Sequence, residues 1–199
     1  MVAPLPHDGM KLHDETERRE WQNPEAILGG LGLKPGQVVA DIGAGDGFFA
    51  LPAARMVGPQ GVVYAVDSSV GRLTRLHEKA EDEGIETIRI RAGTAEELVV
   101  CEGCVDLVFF GICLHDFADQ GAVLRNAMTA LKPGALLANL DWKKEETVRH
   151  GDLLGPPVEI RFSEEEAAAL IREAGFEVES VEPYGEYFYL IRARSPRTP

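Results

Sequence analysis

Residues 38–54 read VVADIGAGDGFFALPAA: a β-branched run, glycines at every second position from Gly43 to Gly47, then a helix-forming run. A strand, a flexible turn and a helix in that order are the signature of one βα unit of a parallel sheet. Glycine lets the backbone take positive φ and lets a ligand come close to the main chain. A helix starting near Gly47 also offers unpaired N–H groups to a carboxylate or phosphate.

Outward from this unit, short β-rich runs alternate with longer amphipathic ones. Strands are expected at QVVADI (37–42), GVVYAV (61–66), TIRIRA (87–92), VDLVFF (105–110) and ALLANLD (135–141). Helices are expected near Gly47, Ser69, Asp119 and Ser163, the last with capping-box spacing between Ser163 and Glu166. Strand and helix thus alternate from Gln37 to Asp141, which predicts a parallel sheet covered by helices on both faces. After that the rhythm changes. FEVESVE and EYFYLIRAR are separated only by PYG, and they read as an antiparallel pair ending the sheet.

One domain is expected over residues 24–193, opened by a helix beginning near Pro24. Two stretches lie outside the rhythm, residues 1–23 and the connection from Lys143 to Phe162. Each carries apolar anchors, Trp21 in one and Leu153, Leu154, Pro156 and Pro157 in the other, and both are candidate lids. Trp21 is either an aromatic packed on the domain or a wall of a pocket. Residues 194–199 are expected to fray, since prolines cannot continue a ladder.

A chain of 199 residues with 45% hydrophobic content can bury one substantial core. A net charge of −13 repels a phosphate backbone, so nucleic acid is not an expected partner. No apolar stretch has signal-peptide or membrane-span character, which makes a cytoplasmic protein with no membrane partner the expectation. The oligomeric state is not legible. The three cysteines, Cys101, Cys104 and Cys113, are an odd number in one short region and are expected to be reduced thiols. CEGC has zinc-knuckle spacing but lacks further ligands at a plausible distance, so no metal is expected.

Ligands of an open parallel sheet bind beyond the carboxyl ends of its strands. Here five strand ends carry polar, glycine or aromatic residues: Asp41 to Gly47, Asp67 and Ser68, Gly93 to Ala95, Gly111 to His115, and Asp141 with Trp142. Asp67, 24 residues after Gly43, has the chemistry to accept hydrogen bonds from a ribose diol. A dinucleotide fingerprint needs a third glycine where Phe48 stands, and an acid such as Asp41 is unwelcome beside a pyrophosphate. S-adenosylmethionine, with an ammonium, a sulfonium, a carboxylate and a diol, suits these residues better than NAD. A nicotinamide-dependent dehydrogenase is therefore the weaker alternative.

The motifs VVADIGAGDGFF, VYAVDSS, GTAEEL, VDLVFFGICLHDF and LKPGALLANLDW together resemble those of class I S-adenosylmethionine-dependent methyltransferases, of the ubiquinone/menaquinone-biosynthesis-like group. The resemblance runs from about Asn23 to Arg192. It implies a Rossmann-like seven-stranded α/β sheet in the order 3-2-1-4-5-7-6 with the last strand antiparallel. It also implies a cofactor site of Asp41, Gly43, Ala44, Gly45 and Gly47 around the methionine portion, Asp67 and Ser68 at the ribose, and Gly93, Thr94 and Ala95 at the adenine, with Gly111 alongside. Two departures stand out: Thr94 replaces a frequent acid, and LKPGA replaces the usual double glycine. His115 and Asp141 are candidate catalytic residues, placed to take a proton from a hydroxyl or amine acceptor or to orient it. Methyl transfer needs no dedicated nucleophile, so the acceptor, expected to be a small molecule, is less legible than the cofactor. A module that binds S-adenosylmethionine without catalysis would share the same donor residues.

Overall fold

The computed structural model describes residues 15–149 and 152–197. Seven strands form one sheet: β1 (Val38–Ile42), β2 (Val62–Asp67), β3 (Ile88–Ala92), β4 (Val105–Gly111), β5 (Leu131–Trp142), β6 (Glu177–Tyr184) and β7 (Phe188–Arg194). Their spatial order is β3-β2-β1-β4-β5-β7-β6. The first five are mutually parallel, whereas β7 runs antiparallel to both β5 and β6. The chain winds outward from β1 in one direction and from β4 in the other. The crevice between β1 and β4 is thus the switch point at which such sheets bind ligands.

Alternation along each strand divides the core in two. Val39, Leu107, Phe109, Leu136, Ala138 and Leu140 face one layer, built from α2 (Pro24–Gly30), α3 (Ala50–Val57) and α4 (Val70–Asp82). Ala40, Ile42, Val108, Phe110 and Leu137 face the other, built from α5 (Gln120–Ala130) and α6 (Glu164–Glu173). The expected caps are present. Ser69 and Asp119 accept from Arg72 N and Ala122 N, and Ser163 and Glu166 close a full capping box. Asn23 caps α2, with Pro24 at its first position.

Four expectations need correction. The helix expected near Gly47 begins at Ala50, because the glycine stretch is spent on consecutive turns. Strand and helix do not alternate throughout. No α-helix joins β3 to β4, and the twelve residues from Gly93 to Cys104 cover the sheet as extended chain and turns instead. That length leaves little room for a helix with two connections. Cys101 and Cys104 are joined in a disulfide and are not two thiols, the Glu102–Gly103 turn bringing their Cα atoms to 6.1 Å; Cys113 is the free, buried cysteine. Finally, the tail is held as far as Pro196. Ser195 N donates to Ala135 O, its hydroxyl donates to Lys132 O at 2.7 Å, and Gly134 N donates to Pro196 O.

Before the sheet, α1 (Glu15–Trp21) lies on the ligand edge, and residues 1–14 of the expected N-terminal lid lie outside the described residues. The connection after β5 contains a small hairpin, Val148–Arg149 with Asp152–Leu153. Among the described residues no helix is long and apolar enough to cross a membrane.

Candidate active site

The carboxyl ends of β3, β2, β1, β4 and β5 lie side by side, and the expected ligand residues follow that order along one edge. At β1, Gly43 N and Ala44 N both donate to Val66 O, which folds the turn back over the end of β2. Gly43 has φ +75°, and a Cβ there would stand 2.9 Å from both Cβ and Sγ of Cys113, so no other residue fits without displacing the end of β4. Gly45, at φ +57°, differs: its nearest neighbour would be Arg72 Cδ at 3.9 Å, so this face of the turn stays open. Gly47 packs against Leu76 of α4 and Leu51 of α3.

Asp67 is the keystone of the next strand end. Its two carboxylate oxygens accept from Gly45 N and Ser69 N, both at 2.8 Å, so one side chain holds the glycine turn and the start of α4. Ser68 lies in the turn between them. Gly93 N donates to Asp67 O, tying the turn of Gly93, Thr94 and Ala95 to the same point, and Asn126 Nδ2 clamps that turn through Ala95 O (2.9 Å) and Glu96 O (2.8 Å).

Asp41 is buried at the end of β1, and its Oδ2 has no hydrogen-bond partner among the described residues. Burial and the neighbouring Asp67 charge raise its pKa to about 7, against the opposing pull of Arg18 and a backbone hydrogen bond from Ala50. Arg18, on α1, places its guanidinium carbon 3.7 Å from the Phe48 ring centroid and donates from Nε to Gln22 Oε1 at 2.7 Å. Burial lowers its pKa to about 10 although Asp46 and Asp41 favour the charge. The sequence reading overlooked Arg18. The signal was a basic pair, Arg18 and Arg19, in an otherwise acidic helix and three residues before Trp21.

The ends of β4 and β5 form the second half of the site. Gly111 approaches Phe49 so closely that a Cβ there would lie 2.6 Å from the ring. Next to it Ile112 is the one non-glycine residue with positive φ among the described residues, at 63°. A β-branched residue is strained there, and such strain clusters at functional sites. The turn it forces brings His115 to Asp141, with Nδ1 2.8 Å from Oδ1 of the buried carboxylate, while Nε2 lies 3.3 Å from Asp116 Oδ1. Burial alone would lower the imidazole pKa, but the hydrogen bond and charge of Asp141, helped by Asp116, raise it. Asp141 Oδ1 also accepts from Trp142 N, and its Oδ2 has no partner among the described residues. The two candidate catalytic residues, 26 positions apart, are thus one unit.

An aromatic cluster continues from that unit. Trp21 stacks on Phe188 at 5.7 Å and meets Trp142 at 5.7 Å and Tyr187 at 5.9 Å. Both earlier readings of Trp21 remain compatible with this: it packs on the domain, and it stands beside the ligand edge on the helix that carries Arg18. Behind Trp142 the buried Arg161 gathers its connection, donating to the carbonyls of Lys143, Glu145, Leu154 and Pro156 and to Thr147 Oγ1. Such a side chain, fully paired with carbonyls of its own loop, left no recognisable mark in the sequence.

The site thus offers a buried carboxylate oxygen without a partner, a neighbouring guanidinium, an open glycine turn and a second carboxylate two hydrogen bonds deep. That donor set suits a ligand with a cation, an anion and a diol.

Comparison with known proteins gives the same direction. Residues 39–134 match a family model described as a methyltransferase domain. A SAM-dependent methyltransferase from Aquifex aeolicus superposes with a TM-score of 0.83 at 30% identity, covering 92% of this chain and 98% of that one. A ubiquinone/menaquinone biosynthesis C-methyltransferase of Vibrio campbellii is 33% identical over 114 residues, 57% of this chain and 44% of the relative. An arsenite methyltransferase of Halobacterium salinarum is 27% identical over 169 residues, 82% of this chain and 42% of the relative. The chain therefore spans less than half the length of these two curated relatives.

Proposed function

The chain belongs to the S-adenosylmethionine-dependent methyltransferase family, and we propose that it transfers a methyl group to a small acceptor with a flat apolar body. The observation that carries this reading is the single edge on which Asp41, Arg18 and Asp67 adjoin the open face of Gly45, with the His115–Asp141 unit across the β1–β4 crevice. S-adenosylmethionine, when bound, supplies an electrophilic methyl on a sulfonium.

The chain's own residues would hold and screen it. Asp41 would accept from the ammonium with its unpartnered oxygen, and Arg18 would face the carboxylate. The open turn of Gly43, Ala44 and Gly45 would admit the methionine portion, Asp67 and Ser68 the ribose, and Gly93, Thr94 and Ala95 the adenine. Gly111 lets the end of β4 approach the Phe49 ring at the start of α3, and Gly47 acts through packing. The protein's contribution to an in-line displacement is placement and exclusion of water. Trp21 and Tyr187, partly buried over the buried Trp142 and Phe188, would present aromatic surface for both on the acceptor side.

His115 would handle the acceptor's proton. Because Asp141 and Asp116 outweigh burial and favour the charged imidazole, it becomes a base only above its raised pKa. Turnover should therefore climb with pH beyond the ordinary histidine range, and His115→Asn should lose most of the rate and that pH limb while S-adenosylhomocysteine still binds. A pH profile unchanged in the variant removes His115 from proton transfer.

The relatives' names point to two acceptor classes, quinone precursors and arsenite. A soft, thiol-seeking ion fits this site poorly. Cys101 and Cys104 are bonded to each other at the opposite end of β4, and the Cys113 thiol donates to Ile42 O at 2.9 Å. The deciding experiment is S-adenosylhomocysteine release against hydroxylated aromatic, amine and arsenite acceptors. Turnover with arsenite alone would overturn the flat-acceptor reading; tight binding of S-adenosylhomocysteine without turnover on any acceptor would favour the non-catalytic module.

A further inference from the structure

The twelve residues that replace a helix between β3 and β4 run from the ligand edge back along the sheet to the far end of β4. Their two ends are well secured. Near the ligand edge, Asn126 holds Ala95 O and Glu96 O, Glu97 N donates to Thr94 O, and Glu96 Oε1 accepts from Ala118 N at 3.0 Å. At the far end, Gly103 N and Cys104 N donate to Thr129 O and Ala130 O, both at 2.9 Å. The middle is different. Among the described residues, no backbone N–H from Leu98 to Glu102 donates to a backbone carbonyl. Leu98, Val100, Cys101 and Cys104 are only partly buried against the α5 layer, and Val99 is 40% exposed. Beyond that shallow packing, the restraint on this stretch is covalent, the Cys101–Cys104 disulfide, flanked by the exposed Glu102 and Gly103.

We propose that the Cys101–Cys104 pair is a redox-exchangeable clasp that controls cofactor affinity through the Gly93–Ala95 turn, an inference that rests on the reading of that turn as the adenine contact. The pair is only partly buried and closes a loop of two exposed residues, so an external dithiol can reach it. The thiolate of that dithiol attacks one sulfur, the other leaves as a thiolate, and the second thiol of the reductant resolves the mixed disulfide. Two electrons and two protons pass to the protein, and the reductant leaves as its own disulfide. Reduction removes the covalent restraint next to a stretch without backbone hydrogen bonds. Leu98–Cys101 then moves more freely, and Ala95 and Glu96 lose the fixed chain that follows them. The oxidised form keeps the adenine side of the site preorganised, and binding costs less ordering there.

The linkage is reciprocal, which makes it measurable in two ways. Protein kept in air, with its disulfide verified by alkylation and intact mass, is compared with protein reduced by dithiothreitol and with the double variant Cys101→Ser/Cys104→Ser. Reduction and the double variant should both raise hydrogen exchange across residues 93–102. Both should also weaken S-adenosylhomocysteine by at least about fivefold, the lower end of ordinary coupling between sites. In a dithiol/disulfide buffer, S-adenosylhomocysteine should shift the protein toward the disulfide by the same factor. Two free thiols in air-kept protein overturn the proposal, as does equal exchange and affinity in both states. Raised exchange with unchanged affinity overturns it too, and removes the Gly93–Ala95 turn from the cofactor contacts. Absence of binding in every state would fall on the proposed function itself.

Discussion

Asp41 links the chemistry of the site to the stability of the free protein. Its folded pKa of about 7 lies above the ordinary carboxyl value of 3.8, so between those values the folded chain keeps a proton that the unfolded chain has lost. The stability contributed by this group is therefore complete below about pH 4 and lost as pH rises toward 7. The cofactor's ammonium favours the ionised carboxylate, so S-adenosylhomocysteine affinity should move oppositely and rise through pH 7. Asp41→Asn should flatten both trends, as thermal melts and calorimetry at several pH values would show; an unchanged binding slope would remove Asp41 as the titrating group. Asp67→Ala deletes the carboxylate that holds Gly45 N and Ser69 N and that would receive the ribose. With charge-assisted bonds worth about 1.5–3 kcal/mol each, affinity should fall on the order of a hundredfold, and the melting temperature should fall too, because the bonds to Gly45 N and Ser69 N are lost from the free protein. Gly45→Val tests the open face of the turn. It should cost roughly 1–2 kcal/mol of stability for a β-branched residue at positive φ and abolish cofactor binding. A folded variant that binds normally would show that the ligand passes elsewhere.

The two segments outside the sheet differ in how they are held. Helix α1 has seven residues, too few to stand alone in water, and none of them is fully buried. Its attachments include the Arg18 guanidinium over Phe48, the Arg19–Glu25 ion pair at 2.9 Å, the Glu15–Lys79 ion pair to α4 at 3.7 Å and the Trp21 ring in the aromatic cluster. The Lys143–Phe162 connection, in contrast, is gathered by five groups around the buried Arg161 and packed on Trp142. Residues 15–22 should therefore gain hydrogen-exchange protection when S-adenosylhomocysteine binds, whereas residues 152–160 should change little. A large response in the second segment with none in the first would reverse this assignment of lid and wall. Arg161→Ala leaves several carbonyls unpaired, and it should lower stability by about 2–4 kcal/mol and raise exchange across residues 143–149.

Across the whole molecule the two core layers meet at the sheet, so damage to either is felt by the site. Phe109, 1% exposed and edge-on to Phe49 at 4.7 Å, joins the middle of β4 to the start of α3, directly behind the glycine turn. Phe109→Ala should cost about 3–5 kcal/mol and lower the melting temperature by roughly 6–20 °C, because a cavity at this position cannot be refilled from α3 without moving the turn. Thermal denaturation followed by circular dichroism checks it. The formal charge of −13 belongs to this scale too. It matches a cationic cofactor and opposes polyanions.

The strands and four of the helix starts were legible because their causes are local: period-two alternation, caps and a glycine turn each act over a few residues, whereas the order of the strands in the sheet was implied only by the family resemblance. The positions of Asp41, Gly43, Gly45 and Asp67 at the strand ends were legible for the same local reason. What stayed hidden depends on distant partners. The Asp41 carboxyl is raised by burial and by Asp67, and Arg18 counts because α1 folds back onto Phe48. His115 and Asp141 become a pair because the positive φ of Ile112 turns the end of β4 toward β5. The β3–β4 connection carries no helix, and α5 secures its ends through the Asn126 side chain at one and the carbonyls of Thr129 and Ala130 at the other. Arg161 is an ordinary arginine until four carbonyls and a hydroxyl from earlier in the chain surround it. In each case the deciding energy is desolvation or a long-range contact, and neither exists until the chain has closed.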